Sequence, residues 1–218
     1  MDVQPGMNSR SPGGSAVPGR GEFSLRVLGC FLGLWTLVLT FWLYWYSARI
    51  GGFPDWDGFE RVSSASRIWY DIRHGDFDNF WQHTHSLVVW PFLHSWLTGA
   101  LFVVFGPAFT SAELLSLFAF WGSACLIVFL FLRRPTTFAP AGAAAAWGLF
   151  ITSPIVLYNS VIIMTELFGL FLVLAILACL PGEEDKRPGR YVAGGILLAL
   201  LFMFKYNFAG LTWAGLLI

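Results

Sequence analysis

The sequence predicts an all-α, polytopic transmembrane protein whose first external loop bears amphipathic surface helices. Three observations lead there. Hydrophobic residues make up 56% of the 218-residue chain and charged residues only 12%, with a mean hydropathy of +0.65, whereas soluble domains carry about 25% charged residues. The charges are also clustered, leaving long stretches almost bare of them. Those stretches recur as six apolar runs, the pattern of helices that cross or enter a bilayer. A formal net charge of zero gives no support to a nucleic-acid-binding surface. In such a chain the placement of Lys and Arg carries more information than their sum.

Residues 1–23 are rich in Gly, Pro and Ser and lack apolar periodicity, which predicts a disordered tail ahead of a transmembrane domain over 24–218. Leu25–Tyr46 holds no charge after Arg26 and is long enough for one span. It is too long and bulky for a cleaved signal peptide and has no small-residue cleavage site. Its far end, Trp42-Leu43-Tyr44-Trp45-Tyr46, has the composition of an aromatic belt. With Arg10, Arg20 and Arg26 inside, this helix delivers Arg49 and the loop Phe53-Pro54-Asp55-Trp56-Asp57-Gly58-Phe59 to the outer face.

Residues 49–87 are the most polar part after the tail. Val62, Ala65, Ile68, Trp69 and Ile72 form one apolar face of a helix over 60–74, with Gly75 as its stop and Asp76 and Asp78 in the turn beyond. That pattern predicts an amphipathic helix lying along the membrane surface. The second run, Leu87–Gly106, contains Pro91, His94 and Gly99 and either crosses or dips in and returns. Leu114–Leu132 ends in Arg133-Arg134, Phe138–Leu157 follows, and Ile162–Leu180 leads to the charged segment 183–190. Tyr191–Ile218 closes the chain without a polar exit, which reads as a truncated product. If the second run does not cross, Arg133-Arg134 and Lys186/Arg187/Arg190 fall inside with the N-terminal arginines, as the positive-inside rule favours. The turn from Tyr158 to Glu166 then shares the outer face with Asp55 and Asp57.

A charge within a membrane segment costs about 2.5 to 3.5 kcal/mol on insertion scales, so Glu113, Glu166 and Lys205 each need a reason. Thr110-Ser111-Ala112-Glu113 reads as a capping box. Glu166 is either an ordinary first-turn acid or a functional one. Lys205 either snorkels or faces a lipid phosphate. Asp55-x-Asp57 is a spacing used by loops that hold a divalent cation or position an acid–base carboxylate, and also by plain solvated loops. His83 and His85 alternate without a third ligand at metal spacing. His94 reads as a satisfied polar residue on an apolar helix. Cys30, Cys125 and Cys179 have no paired spacing and read as small buried hydrophobes.

Taken in order, these segments resemble the N-terminal part of a GT-C superfamily glycosyltransferase, closest to the protein O-mannosyltransferase and lipid A aminoarabinose transferase group. The resemblance rests on the external acidic loop, the surface helix, and Trp90-Pro91-Phe92-Leu93-His94-Ser95-Trp96-Leu97 running to Phe105-Gly106. Beyond these come Arg133-Arg134, Ser153-Pro154 through Thr165-Glu166, and Ala193-Gly194-Gly195 through Phe204-Lys205-Tyr206. It spans almost everything from Leu25 onward. The chain departs from the family in having Asp57-Gly58-Phe59-Glu60 where Asp-Glu-Tyr is frequent, and Pro91 in place of a double proline.

The resemblance implies transfer of a sugar from a polyprenyl-phosphate donor to a lipid, glycan or protein acceptor at the outer face of the plasma (cell inner) membrane. It implies Asp57, or Asp55, as general base, and Glu166, Lys205 and His85 as substrate-binding residues. No cofactor is required by the pattern, although a divalent cation fits it. The alternative class is a non-catalytic transporter or assembly subunit. Transporters tend to show paired half-repeats with broken helices, and the chain has no evident internal repeat.

Overall fold

The computed structural model describes residues 20–52, 56–87, 92–133, 139–180 and 188–216. Ten α-helices and no strand occur among them. They are α1 (Arg20–Ile50), α2 (Trp56–His74), α3 (Phe77–Ser86), α4 (Phe92–Phe105) and α5 (Phe109–Leu132). They continue as α6 (Ala139–Thr152), α7 (Pro154–Asn159), α8 (Thr165–Cys179), α9 (Pro188–Phe204) and α10 (Tyr206–Leu216).

Two of them, over Gly29–Ile50 and Phe109–Leu132, are long and apolar enough to cross a membrane. Their side chains are distributed in the way a lipid solvent demands. On α1, Thr36, Thr40 and Ser47 are buried while Phe31, Leu34, Trp35, Val38 and Phe41 are exposed. On α5, Ser111, Ser116 and Ser123 are buried while Phe118, Phe129 and Phe131 are exposed. Water would expel large apolar side chains from such positions, but lipid tails do not, and small polar residues then let helices approach closely. Thr36 and Thr40 return their hydroxyls to the carbonyls of Leu32 and Thr36, at 2.8 Å each, so neither leaves a polar group unmet.

Contacts along the helices fix their directions. The C-terminal end of α1 meets the start of α5 through Ser47 and Glu113, so these two run antiparallel. The start of α5 also touches the approach to α8, where the Ser116 hydroxyl donates to the Ile162 carbonyl at 2.7 Å. Arg133, just past the end of α5, donates to the Ala178 carbonyl near the end of α8 at 2.9 Å. Helices α5 and α8 therefore run parallel, with α6 returning between them. Phe204, at the end of α9, stacks on Phe168 at the start of α8, with 4.3 Å between ring centroids. The bundle thus has one end carrying Ser47, Glu113, Glu166 and Lys205, and another carrying Arg133 and Cys179. The core between them joins Ala119, Phe120, Leu167, Phe168, Leu172 and Leu201.

Helix α4 does not run between these ends. The His94 ring, near its start, lies 5.5 Å from that of Phe204, while Phe102, near its finish, packs with Ala112 and Ile163. Both contacts belong to the end where α5 begins. Its 14 residues span only about 21 Å.

Helix α2 packs against α4 at a crossing floored by glycine. A β-carbon on Gly99 would sit 3.0 Å from Ile68 Cγ2 and 3.3 Å from the Ala65 carbonyl oxygen. Substituting Gly99 with Val should therefore push α2 off the bundle. The expected loss is about 1 to 3 kcal/mol, as for other overpacked sites, read as a lower Tm in detergent.

The helix predicted over 60–74 is present as α2, which starts earlier, at Trp56, and Gly75 ends it at φ +67°. Asp76 opens α3 by accepting from the Asn79 backbone N–H at 3.1 Å. That bond lowers the pKa of the fully exposed Asp76 carboxyl. The cap is consequently complete above the ordinary carboxylate range and is lost as pH falls through the lowered pKa.

Several expectations need correction. Residues 20–23 belong to α1 rather than to a disordered tail. Ile72 is 40% exposed, because the crossing with α4 centres on Ala65 and Ile68 and has ended a turn earlier. The fourth and sixth apolar runs are each broken, at Ser153 before Pro154 and at Lys205. Cys30 and Cys125 are exposed and Cys179 half-buried, since they lie on helix faces that the bundle leaves uncovered.

Candidate functional site

Three elements meet at the end of the bundle where α8 begins. Glu166 sits in the first turn of α8, after Met164 turns the chain in extended conformation at φ −116°. Lys205 occupies the break between α9 and α10. Its N–H still bonds the Leu201 carbonyl at 2.7 Å, while its own carbonyl receives the N–H groups of Phe208 and Ala209 at 3.1 and 3.3 Å. The residue thus closes one helix and opens the next, leaving its side chain free to reach sideways. Its Nζ donates to Glu166 Oε1 and lies 5.4 Å from the centroid of the Phe208 ring. The pair is partly open, with Lys205 18% and Glu166 47% exposed.

The third element is α2. Residues four apart lie on one helix face, so Asp57, Arg61, Ala65 and Ile68 form one stripe. Ala65 and Ile68 are fully buried and Arg61 nearly so, at 4% exposure; Asp57, half-buried, starts the stripe. The Arg61 guanidinium is close enough to act on the Glu166 carboxylate and on the His94 ring. Arg61 thus adds a minor positive contribution at the carboxylate that Lys205 holds by direct contact.

The sequence-predicted residues do not all converge. Glu166 and Lys205 are in direct contact, and Asp57 shares its helix face with Arg61. Asp55 lies outside the described residues. His85 is exposed at the end of α3, its ring 6.1 Å from that of Trp81, and no hydrogen bond or ring contact joins it to Glu166 or Lys205. Among the described residues no group of three or more His, Cys, Asp or Glu side chains is placed to hold a metal ion.

Three residues were missed or misread. Arg61 was overlooked because its neighbours Val62 and Ala65 define the apolar face; its i+4 spacing from Asp57 was the available signal. His94 is buried, with Nδ1 lacking a hydrogen-bond partner. Glu113 does not close a capping box. Helix α5 starts two residues earlier than that motif requires, after Ala108, whose side chain makes no cap bond. Glu113 is fully buried and turns to Ser47, whose hydroxyl oxygen lies 2.6 and 2.7 Å from its two carboxylate oxygens.

Beside it the Tyr44 hydroxyl donates to the Thr110 carbonyl at 3.3 Å, and Gly52, at φ +99°, leaves no room for a β-carbon against Phe109. This junction ties the exit of α1, and so the start of the acidic loop, to α5. Replacing Ser47 with Ala removes a donor from a buried carboxylate, which costs about 1 to 3 kcal/mol. A fall in Tm of several degrees is expected, at about 2–4 °C per kcal/mol for a chain of this size.

No protein-family model, curated protein or solved structure matches the chain. The architecture and its inside-out polarity define the class alone: an all-helical protein with two helices able to cross a membrane.

Proposed function

We propose that the chain belongs to a multi-pass membrane glycosyltransferase. It transfers a sugar from a polyprenyl-phosphate donor to an acceptor hydroxyl at the outer face of the plasma membrane. The observation that supports this most is the Lys205–Glu166 contact, with Arg61, on the helix that carries Asp57 in its first turn, adding a lesser positive charge nearby. Such a cluster has what glycosyl transfer needs: a carboxylate to take a proton and cations to receive a departing phosphate.

In this reading Asp57 draws the proton from the acceptor hydroxyl as its oxygen attacks the anomeric carbon. The bond from that carbon to the phosphate oxygen breaks on the opposite side, so the anomeric configuration inverts. Polyprenyl phosphate leaves as an anion, and Lys205 and Arg61 stabilise the charge as it develops. Glu166, released from Lys205 when the phosphate arrives, is free to accept from the acceptor or donor hydroxyls.

The function is tested by mass spectrometry of glycolipids and glycoproteins from cells lacking the gene. Loss of one glycan modification is expected, and an unchanged glycan profile overturns the reading. The topology has its own test. Reporter fusions after Pro135 and after Gly182 should both report the inner side, and external labelling of both excludes the arrangement.

A further inference from the structure

On the side of α2 turned away from α4 lies an open groove of about 550 Å3, within the range of small-molecule sites. Phe59, Trp69 and Tyr70 supply aromatic surface, Ser63 and Ser66 supply hydroxyls, and Asp71 and His83 close it from α3's side. The last two form a built dyad. Asp71 is only 2% exposed, and its Oδ2 lies 2.6 Å from His83 Nδ1, while His83 remains 33% exposed.

A carboxylate can only accept, so Nδ1 donates to it and Nε2 is left as the ring's second polar atom. A buried acid spent on holding one imidazole gives the groove a fixed hydrogen-bonding group beside two hydroxyls and an aromatic wall. Tyr70 and Phe59 are 56% and 64% exposed, so each keeps open apolar surface although the Tyr70 ring lies 4.0 Å from that of His74.

We propose that this groove binds a neutral saccharide ring. Aromatic faces take the C–H face of a pyranose, and the imidazole Nε2 and serine hydroxyls match its rim of alcohols, each of which can donate or accept. The charges lining the groove are Arg67 and the buried Asp71, which cancel, so the site offers an anion no excess of positive charge and Arg67 serves as one more donor to hydroxyls. The proposal stands apart from the transfer reaction, because the groove and the Asp57–Arg61 stripe lie on opposite sides of α2.

The experiment is saturation-transfer NMR on the protein in zwitterionic nanodiscs. The probes are methyl α-glucopyranoside, methyl α-mannopyranoside and N-acetylglucosamine, with inorganic phosphate as a competitor. At least one sugar should show transfer to its ring protons. Tyr70→Ala and His83→Ala, both at exposed or half-exposed positions, should each weaken it about tenfold or more with unchanged circular dichroism. Asp57→Asn should bind the sugar as the wild type does, which separates this groove from the transfer site.

Absence of saturation transfer to any of the three sugars overturns the proposal. Displacement by phosphate does so as well, as does binding that survives both groove variants or is lost in Asp57→Asn.

Discussion

Replacing Asp57 with Asn should lower sugar transfer by at least about 100-fold, the usual scale for removing a general base. Asn keeps the shape of the side chain and its hydrogen-bonding reach but cannot take the proton of an attacking hydroxyl. The position suits such a comparison, since Asp57 is half-buried in the first turn of α2 and the helix is anchored further along by Ala65 and Ile68. Folding should therefore be unaffected, and a Tm measured beside the turnover number separates the two effects. Asp55→Asn is the parallel variant. Near-normal transfer by Asp57→Asn with a large loss in Asp55→Asn would falsify the choice of Asp57 and move the base two residues back.

Lys205→Ala is expected to reduce transfer by a similar factor, because it removes a cation from the place where the leaving phosphate gathers charge. The structural consequence should be small. Lys205 holds the α9–α10 break through its backbone N–H and carbonyl, which Ala retains. The partly exposed ion pair with Glu166 contributes about 0 to 1 kcal/mol. A Tm within a few degrees of wild type, together with turnover down about 100-fold, is the expected pattern. Turnover close to wild type would reduce Lys205 to a snorkelling partner of Glu166. The double variant Glu166→Gln/Lys205→Met makes the assignment sharper: if the pair is only structural, neutralising both should restore what Lys205→Ala loses.

Local pattern made α2 legible. Its apolar spacing, the glycine that ends it and the aspartate that opens α3 are all short-range signals, and each appears where the sequence puts it. The break at Ser153 before Pro154 carried a local signal too, since proline disfavours helix at the residue before it, although the run Phe138–Leu157 was read straight through it. The break at Lys205 carried none, because neither neighbour is Gly or Pro and the side chain's partner, Glu166, lies 39 residues away.

Glu113 shows the same limit. Thr-x-x-Glu is a valid local signal for a helix start, but a partner 66 residues distant outweighs it, and no spacing rule encodes such a pairing. Arg61 was hidden by the assumption that a buried stripe is apolar, which fails where a helix carries charge into a site. What the chain did announce was the acids and cations worth following; which of them touch is a property of the packing.

The shortness of α8 has a consequence for access to the site. Its 15 residues cover about 22 Å, whereas the 24 residues of its parallel neighbour α5 cover about 36 Å. With their far ends joined by Arg133 and the Ala178 carbonyl, α8 begins below the start of α5, so Glu166 and Lys205 stand in a recess rather than at the rim of the bundle. Under the proposed reaction, a phosphate has to enter that recess to meet the ammonium group.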